Sequence, residues 1–247
     1  MNKESISSHL LELRTRLIRI LIFMGLLSMI GIPFASEIYA FVASPLLDIL
    51  PQGSTMIATQ VTSPFMAPLK LVLFSALLVT MPYLFYEIWM FMSPGLYKNE
   101  KSFIAPLMIS TILLFSSGVA FAYFVVCPII FKFFIGVAPE SIMVMTDISE
   151  YLNFIIKLIF AFGIAFEIPV ATFLLIRAGI VQKETLVKAR PYLIILFFII
   201  GMLLTPPDIF SQLFLALPMW LLFEVGLLIS RETVSYTHLR AHETHID

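Results

Sequence analysis

Six long apolar runs are the feature that most constrains how this chain can fold. They cover residues 17–36, 65–92, 103–126, 151–176, 191–205 and 209–229. The hydrocarbon core of a bilayer is about 30 Å thick, and about 20 helical residues cross it at 1.5 Å each. Because backbone polar groups find no water there, runs of this length form helices. The sequence predicts an all-α, polytopic membrane protein with six transmembrane helices.

The composition excludes several other classes of protein. Of the 247 residues, 60% are hydrophobic and 13% are charged, whereas a soluble domain has about 25% charged residues. The net charge of −1 offers no basic surface for nucleic acid. Water-soluble enzymes, nucleic-acid-binding proteins and disordered scaffolds therefore fit poorly. The N-terminus lacks the pattern of a cleaved secretory signal, so we expect the first apolar run to be retained as a span.

Lys and Arg lie in alternate connections between the predicted spans. They occupy the N-terminal tail, the loop after the second span, the loop after the fourth span and the C-terminal tail: Lys3, Arg14, Arg16, Arg19, Lys98, Lys101, Arg177, Lys183, Lys188, Arg190, Arg231 and Arg240. The segment Ile20–Leu69 contains neither residue type. Because basic loops stay on the cytoplasmic side, both termini are predicted to be cytoplasmic.

The fifth and sixth spans are short. Pro191–Thr205 has 15 residues, or about 22 Å of helix, which is less than the hydrocarbon thickness. Either the bilayer thins there or longer neighbours shield the short pair. We expect one six-helix domain over 1–232 and a polar tail, non-native or disordered, over 233–247. The spacing of His238, His242 and His245 could suit a metal, but an exposed tail explains them better, and no metal site is predicted.

Three carboxylates lie inside apolar runs. Glu167 is deep in the fourth span, where a charge is costly and normally faces a wet cavity or a partner. The alternative is a protonated Glu167 bonded to a neighbouring helix or to a carbonyl freed by Pro169. Glu87 and Glu224 are near span ends, and we expect them to be solvated at the headgroups.

The hairpin between the last two spans groups polar residues near one membrane face. Met202, Thr205 and Gln212 are expected to cluster there, and Gln212 is a candidate interhelical hydrogen-bonder that suits a partner helix. Asp208 follows two prolines and either caps the sixth span or has a functional role.

Two acids are candidates for binding a ligand at the cytoplasmic surface. Glu12 lies among Arg14, Arg16 and Arg19, and with Arg16 it forms an i,i+4 pair whose simpler interpretation is a surface ion pair. Glu100 lies in a tight loop, where it could equally be a solvated charge. Together the two carboxylates could bind guanidinium groups through charge-assisted, bidentate hydrogen bonds.

Motifs for nucleotide hydrolysis or other enzymatic chemistry are absent from the sequence. It contains no phosphate-binding loop, no HExxH zinc motif and no GxSxG nucleophile turn. We therefore predict a non-enzymatic protein without a cofactor, whose work on any substrate needs a partner or an ion gradient.

Five blocks in order resemble the TatC family of the twin-arginine, Sec-independent protein translocase. They are HLLELRTRL (9–17), SPLLDILPQGSTMIATQVTSPF (44–65), FMSPGLYKNEK (91–101), FEIPV (166–170) and LLTPPDIFSQ (203–212). The resemblance runs from about Ser5 to Glu232. It implies a cup-shaped, six-helix receptor in the bacterial inner membrane that binds twin-arginine signal peptides of folded cargo. It further implies single-span TatA and TatB partners, homo-oligomers within a hetero-complex, and transport driven by the proton-motive force.

The resemblance also implies roles for individual residues. Glu12 and Glu100 match the acids that bind the arginines of the signal, with Arg14 and Phe91 beside them. Pro45 and Asp208 match functionally sensitive outer-loop positions. The polar patch that docks a partner helix is matched by Met202, Thr205 and Gln212. Glu167 matches an intramembrane acid facing the cavity. The loop KNEK is less basic than in many relatives.

Two other functions compete with this interpretation. A proton-coupled small-solute transporter would use Glu167 as a relay, but it predicts repeat-related broken helices, and the sequence shows no internal repeat. An intramembrane enzyme would need a nucleophile–base or metal pair, which the sequence does not offer.

Overall fold

The computed structural model describes residues 3–51, 54–92, 104–137, 145–205 and 209–243, and these are mostly helical. The helices are α1 (Lys3–Gly31), α2 (Ala35–Leu47), α3 (Ser63–Met92), α4 (Ile104–Phe121), α5 (Cys127–Val137), α6 (Ile148–Ala165), α7 (Ile168–Arg177), α8 (Lys183–Lys188), α9 (Arg190–Leu204) and α10 (Ile209–Glu243). Within the described ranges there is no β-strand, and the one isolated bridge joins Ile57 to Asp147. The all-α prediction is confirmed.

Five helical segments of the described chain are long and apolar enough to cross a membrane. They are Leu10–Leu47, Ser63–Phe91, Ile104–Val137, Ile148–Arg177 and Ile209–Ser230. The fifth predicted span is α9, a shorter apolar helix of 15 residues, so the total of six crossings stays a prediction. The sequence places the end of the last span at 229, whereas α10 continues to Glu243. The backbone of the predicted tail is therefore helical from residue 233 to residue 243.

The chain divides into two compact units. The first comprises Met1–Leu113 and Phe131–Ile156. In this unit α3 packs against both α1 and α2, and its buried residues include Leu71 and Val72. α1 is poorly covered, since Ser28 is its one buried residue between Leu10 and Gly31. In the segment Leu10–Leu47, 6% of the most apolar stretch is buried, against 39% in Ser63–Phe91. Most of the α1 surface is therefore available to lipid or to other proteins.

The second unit comprises Leu114–Ile130 and Lys157–Asp247. Here α10 packs against α7 and α9. The α7 contact is close, since a Cβ placed on Gly226 would lie 2.9 Å from the Cα atom of Pro169. Leu215 and Ala216 of α10 are fully buried or nearly so.

Prolines lie at three interruptions of the long helical segments, the first being the 3-10 turn Ile32–Phe34 between α1 and α2, which contains Pro33. Pro128 cannot donate a backbone hydrogen bond, and the preceding residues, Ala122–Val126, form a π-helical turn, which accommodates such a defect. In the fourth predicted span Pro169 follows a break between Ala165 and Ile168. α3, by contrast, runs through Pro68 and Pro82 as one continuous helix.

Asp147 fastens the loop before α3 to the start of α6. Its Oδ2 accepts hydrogen bonds from the Thr59 hydroxyl at 2.6 Å and the Thr59 amide at 2.9 Å. Its Oδ1 accepts from the amides of Ser149 at 2.8 Å and Glu150 at 3.1 Å, which caps α6. The hydrogen bonds, that of the Thr59 hydroxyl foremost, lower the pKa of Asp147 to about 2.

Glycines permit close helix packing in the second unit. A Cβ on Gly118 would lie 2.5 Å from the carbonyl oxygen of Phe162 and 2.9 Å from the Phe166 side chain. A Cβ on Gly163 would lie 2.7 Å from the Phe115 ring. Gly118 of α4 thus faces the backbone of α6 and the Phe166 side chain just beyond it, and Gly163 of α6 faces Phe115 of α4. No larger residue fits at either position without displacing backbone or ring.

We predict that Gly118→Ala lowers the free energy of unfolding by about 1–3 kcal/mol, the usual cost of overpacking. Gly136→Ala is the matched control, because no heavy atom lies within 4 Å of its added Cβ. In that variant the helix should gain about 0.5–1 kcal/mol from the lost glycine entropy. Thermal unfolding of the purified protein in detergent measures both, and equal shifts in the two variants would contradict the packing argument.

The Asp147 cluster should stabilise the fold in a pH-dependent way. Because the pKa of Asp147 is lower in the folded protein than its ordinary value of 3.8, the stabilisation is complete above about pH 5 and is lost as the pH falls towards 2. The melting-temperature difference between wild type and Asp147→Asn should therefore be constant above pH 5 and shrink below it. Thr59→Val should weaken this dependence, and a difference that does not change with pH would overturn the assignment.

Candidate functional site

One face of α1 carries the residues that line an open cleft of about 380 Å³. Glu12, Thr15, Arg16 and Arg19 line it together with Leu11. Their spacing of three and four residues places them on one side of a helix. The cleft lies in the first unit.

Arg16 lies between two carboxylates. Its Nε and Nη2 donate to Oε1 of Glu12 at 3.0 and 2.7 Å, and its Nη1 donates to Oε2 of Glu87 at 2.5 Å. The second oxygen of Glu87 accepts from the Tyr83 hydroxyl at 2.7 Å. We call Glu12, Arg16, Tyr83 and Glu87 the arginine cluster.

The exposure of the charged side chains falls from one end of the arginine cluster to the other. The side chain of Glu12 is 37% exposed, that of Arg16 is 18% exposed and that of Glu87 is 5% exposed. The Tyr83 ring lies 5.1 Å from that of Phe23, centroid to centroid. The Glu87 end of the cluster is therefore buried next to an aromatic pair, while the Glu12 end opens to the cleft.

The prediction that Glu87 is a solvated carboxylate is wrong. A buried carboxylate needs a cation and further hydrogen bonds, and Arg16 and Tyr83 supply both. The sequence analysis names Glu87 and Arg16 separately, but it does not predict their contact or the part that Tyr83 plays in it. The available signal was a carboxylate inside an apolar run, four residues after a tyrosine, since such a group normally faces a partner.

Of the four predicted signal-binding residues, one lines the cleft, two lie elsewhere on α1 and α3, and one is outside the described residues. Glu12 belongs to the arginine cluster, and Phe91 lies one helical turn beyond Glu87 on α3. Arg14 is exposed on α1 and does not line the cleft. Glu100 lies outside the described residues, so its approach to Glu12 stays a prediction.

Glu167 lies at the interruption of its span, where it precedes α7. Its Oε1 atom is shielded from solvent, and its carbonyl accepts from the Ala171 amide at 2.8 Å, which begins the new helix. The sequence places Glu167 within a continuous helix, whereas the structure shows it at a helix end created by Pro169.

The hairpin of α9 and α10 uses its polar residues internally. Gln212 donates from Nε2 to the carbonyl of Phe198 at 2.7 Å, across the two helices. The Thr205 hydroxyl donates to the carbonyl of Gly201 at 2.9 Å. Met202 is half exposed. Asp208 lies outside the described residues, so the outer-loop role and the helix cap both stay predictions.

Pro45 lies within a helix, and Glu224 takes part in an ion pair. Pro45 lies inside α2, where it lacks the N–H that would reach the Phe41 carbonyl, and the Ser44 hydroxyl donates to that carbonyl at 3.0 Å instead. Glu224, expected to be solvated, accepts from Arg190 at 2.6 Å in an ion pair of the second unit.

In the described part of the chain, no group of three His, Cys, Asp or Glu residues lies close enough together to hold a metal ion. The side chains of His238, His242 and His245 are outside it.

The chain is similar over nearly its full length to known proteins. The family model described as Sec-independent protein translocase protein (TatC) matches residues 8–218. The Sec-independent protein translocase protein TatC of Azotobacter chroococcum mcd 1 is 55% identical over 219 residues, 89% of this chain and 86% of that protein. The corresponding protein of Escherichia coli (strain K12) is 49% identical over 224 residues, 91% and 87% of the two chains. The crystal structure of the twin arginine translocase receptor TatC superposes with a TM-score of 0.81 at 34% identity, covering 92% of this chain and 99% of that one.

The two ion pairs of Arg16 should differ in strength. Arg16→Met leaves Glu87 buried without its cation, so we expect the free energy of unfolding to fall by about 2–4 kcal/mol. Glu12→Gln removes a partner that is more exposed and should reduce the free energy of unfolding by less than about 1 kcal/mol. Chemical or thermal unfolding in detergent measures both values. Equal losses would show that burial of Glu87 does not control the stability of the cluster.

Proposed function

The chain belongs to the TatC family of Sec-independent protein translocase proteins, and we propose that it binds twin-arginine signal peptides of folded cargo through the cleft on α1. A family model covers most of the chain, and relatives of about half identity extend over nine-tenths of it. The chain is therefore a multi-pass membrane protein of protein transport and a core subunit of the twin-arginine translocase. It is not an enzyme. This membership favours protein transport over small-solute transport.

The single observation that carries the proposal is the state of Glu12. Its carboxylate already binds a guanidinium, that of Arg16, through two N–H donors. The same carboxylate is more than a third exposed at the cleft. A guanidinium carried by another chain can therefore reach it, with the same planar, charge-assisted geometry.

Glu100, Arg14 and Phe91 complete the proposed binding surface. Two arginines of a signal need two acceptors, and Glu100 is the second carboxylate at the same predicted membrane face. Phe91 extends the α3 face that carries Glu87 and offers an aromatic surface to the apolar part of a signal. Arg14 is an exposed cation on another face of α1, and its part in binding rests on the family resemblance alone.

The proposed orientation places this cleft in the cytoplasm. The alternation of basic connections supports cytoplasmic termini, and the family membership supports the bacterial inner membrane. Cargo signals arise in the cytoplasm, so their arginines would meet α1 before any part of the cargo crosses.

The remaining polar sites are proposed for later steps. Met202, half exposed beside Thr205 and Gln212, suits docking of the single-span TatA- or TatB-like partners, and Pro45 and Asp208 support the outer loops. Glu167, at the break of its span, would act after binding. The complex would contain several copies of this chain and use the proton-motive force.

Binding of a labelled twin-arginine signal peptide to the purified protein tests the proposal. A hydrogen bond to a charged group contributes about 1.5–3 kcal/mol, and solvent screening reduces that at a half-open site. We therefore expect Glu12→Gln and Glu100→Gln each to weaken binding about tenfold, whereas Glu167→Gln should leave it unchanged. Fluorescence anisotropy at fixed salt concentration provides the measurement.

Glu37→Gln is the matched control, because it removes an equal charge from an exposed position at the start of α2. A peptide with two lysines in place of the arginines should bind more weakly than the twin-arginine peptide. Equal binding of the two peptides, or unchanged binding by the Glu12 variant, would overturn the proposed function.

A further inference from the structure

The Arg16 guanidinium occupies the position on Glu12 that an incoming guanidinium would take. Two of its nitrogens donate to the same Glu12 oxygen, at 2.7 and 3.0 Å. The cleft contains Arg19 as a further cation and, beyond Arg16, Glu87 as a further anion. These four charges sum to zero, so net charge alone does not draw a cationic ligand to Glu12. A guanidinium that binds Glu12 at Oε1 must therefore replace an existing hydrogen-bonded arginine.

Arg16 is also held from its other side. Its Nη1 donates to Glu87 at 2.5 Å, and Tyr83 orients Glu87 by donating to the second carboxylate oxygen at 2.7 Å. The side chain of Glu87 is 5% exposed. This anchor stays in the protein interior, where solvent does not compete for it.

We propose that Arg16 is an internal competitor for Glu12 and that Glu87 holds Arg16 when a signal arginine displaces it. This inference rests on the proposed function. In the resting protein Arg16 is shared between Glu12 and Glu87. In the bound state Glu12 pairs with the signal arginine and Arg16 pairs with Glu87 alone. Each cation keeps a carboxylate, so the exchange leaves no buried charge without a partner, which would be strongly destabilising.

The exchange makes Arg16 a residue that sets the affinity for the signal. A ligand that replaces Arg16 must supply planar, paired N–H donors to one carboxylate. Arginine supplies them in a fixed fork, whereas the lysine ammonium is a compact and strongly hydrated point charge. Displacing Arg16 costs the same free energy for either ligand, so it lowers both affinities by the same factor, and only the ligand with the stronger hydrogen bonds to Glu12 still binds well.

A positioning role for Arg16 predicts the opposite results. If Arg16 only oriented Glu12 for binding, its removal would weaken the binding of every signal peptide, and so would removal of Glu87. Under exchange the two removals act in opposite directions, because losing Glu87 commits Arg16 to Glu12, whereas losing Arg16 removes the competing guanidinium from Glu12.

The test measures dissociation constants of a twin-arginine and a twin-lysine signal peptide for wild type, Arg16→Gln, Glu87→Gln and the double variant. For the arginine peptide we expect Arg16→Gln to bind about fivefold more tightly and Glu87→Gln about fivefold more weakly. The double variant should bind at least as tightly as wild type. In Arg16→Gln the lysine peptide should gain affinity by about the same factor, because neither peptide then has to displace Arg16.

Arg19→Gln is the matched control, since it removes the same charge from the same cleft. Arg19 makes no hydrogen bond to Glu12 among the described residues, so the Arg19 variant should gain less affinity for the arginine peptide than Arg16→Gln does. If Arg16→Gln proves unstable, the double variant decides, because replacing both partners of the pair leaves no charge buried alone. Its comparison with Glu87→Gln still shows whether removing Arg16 restores binding.

Weaker binding of both peptides by Arg16→Gln, or failure of the double variant to restore the binding lost in Glu87→Gln, would overturn the exchange. Failure of the proposed function looks different. In that case wild type would not distinguish the two peptides, or Glu12→Gln would bind as wild type does. Loss of binding in Glu12→Gln with no opposite effects at Arg16 and Glu87 would refute the exchange alone.

Discussion

A peptide group inside hydrocarbon has no water to bond with, so each backbone N–H and C=O of a span must find its partner within the span. This constraint dictates long helices and gives unusual weight to the prolines, which remove a donor. The π-helical turn before Pro128 and the break before Pro169 are its local consequences. The break creates a helix end next to Glu167, so this acid lies at the start of a helix and not in the middle of one.

The same low polarity governs the arginine cluster. A buried carboxylate on α3 would be expensive alone, and Arg16 of α1 supplies its countercharge. α1 is otherwise the least covered of the long helices, so this pair and the contact between Phe23 and Tyr83 are specific attachments of α1 to α3. One interaction therefore serves both the architecture of the first unit and the site proposed for the signal arginines.

The sequence predicts most of the helices but not the arginine cluster. The lengths of the apolar runs and the positions of Gly and Pro predict where the helices lie, including the short α9. The contact between Arg16 and Glu87 joins residues 71 positions apart, and no local pattern shows which helices will meet. Each residue alone had a simpler interpretation, a surface ion pair for Arg16 and a solvated acid for Glu87. The extension of α10 beyond 229 was missed for the converse reason, because a polar composition does not prevent a helix from continuing once it has started.

The clasp between Thr59 and Asp147 has a consequence for a protein that works in an energised membrane. On the proposed orientation it lies on the outer side, which respiration makes the proton-rich one. Because the pKa of Asp147 is about 2, the carboxylate keeps its charge and its hydrogen bonds however strongly the membrane is energised within ordinary external acidity. The hydrogen bonds between Thr59 and Asp147 therefore persist while the gradient across the membrane rises and falls.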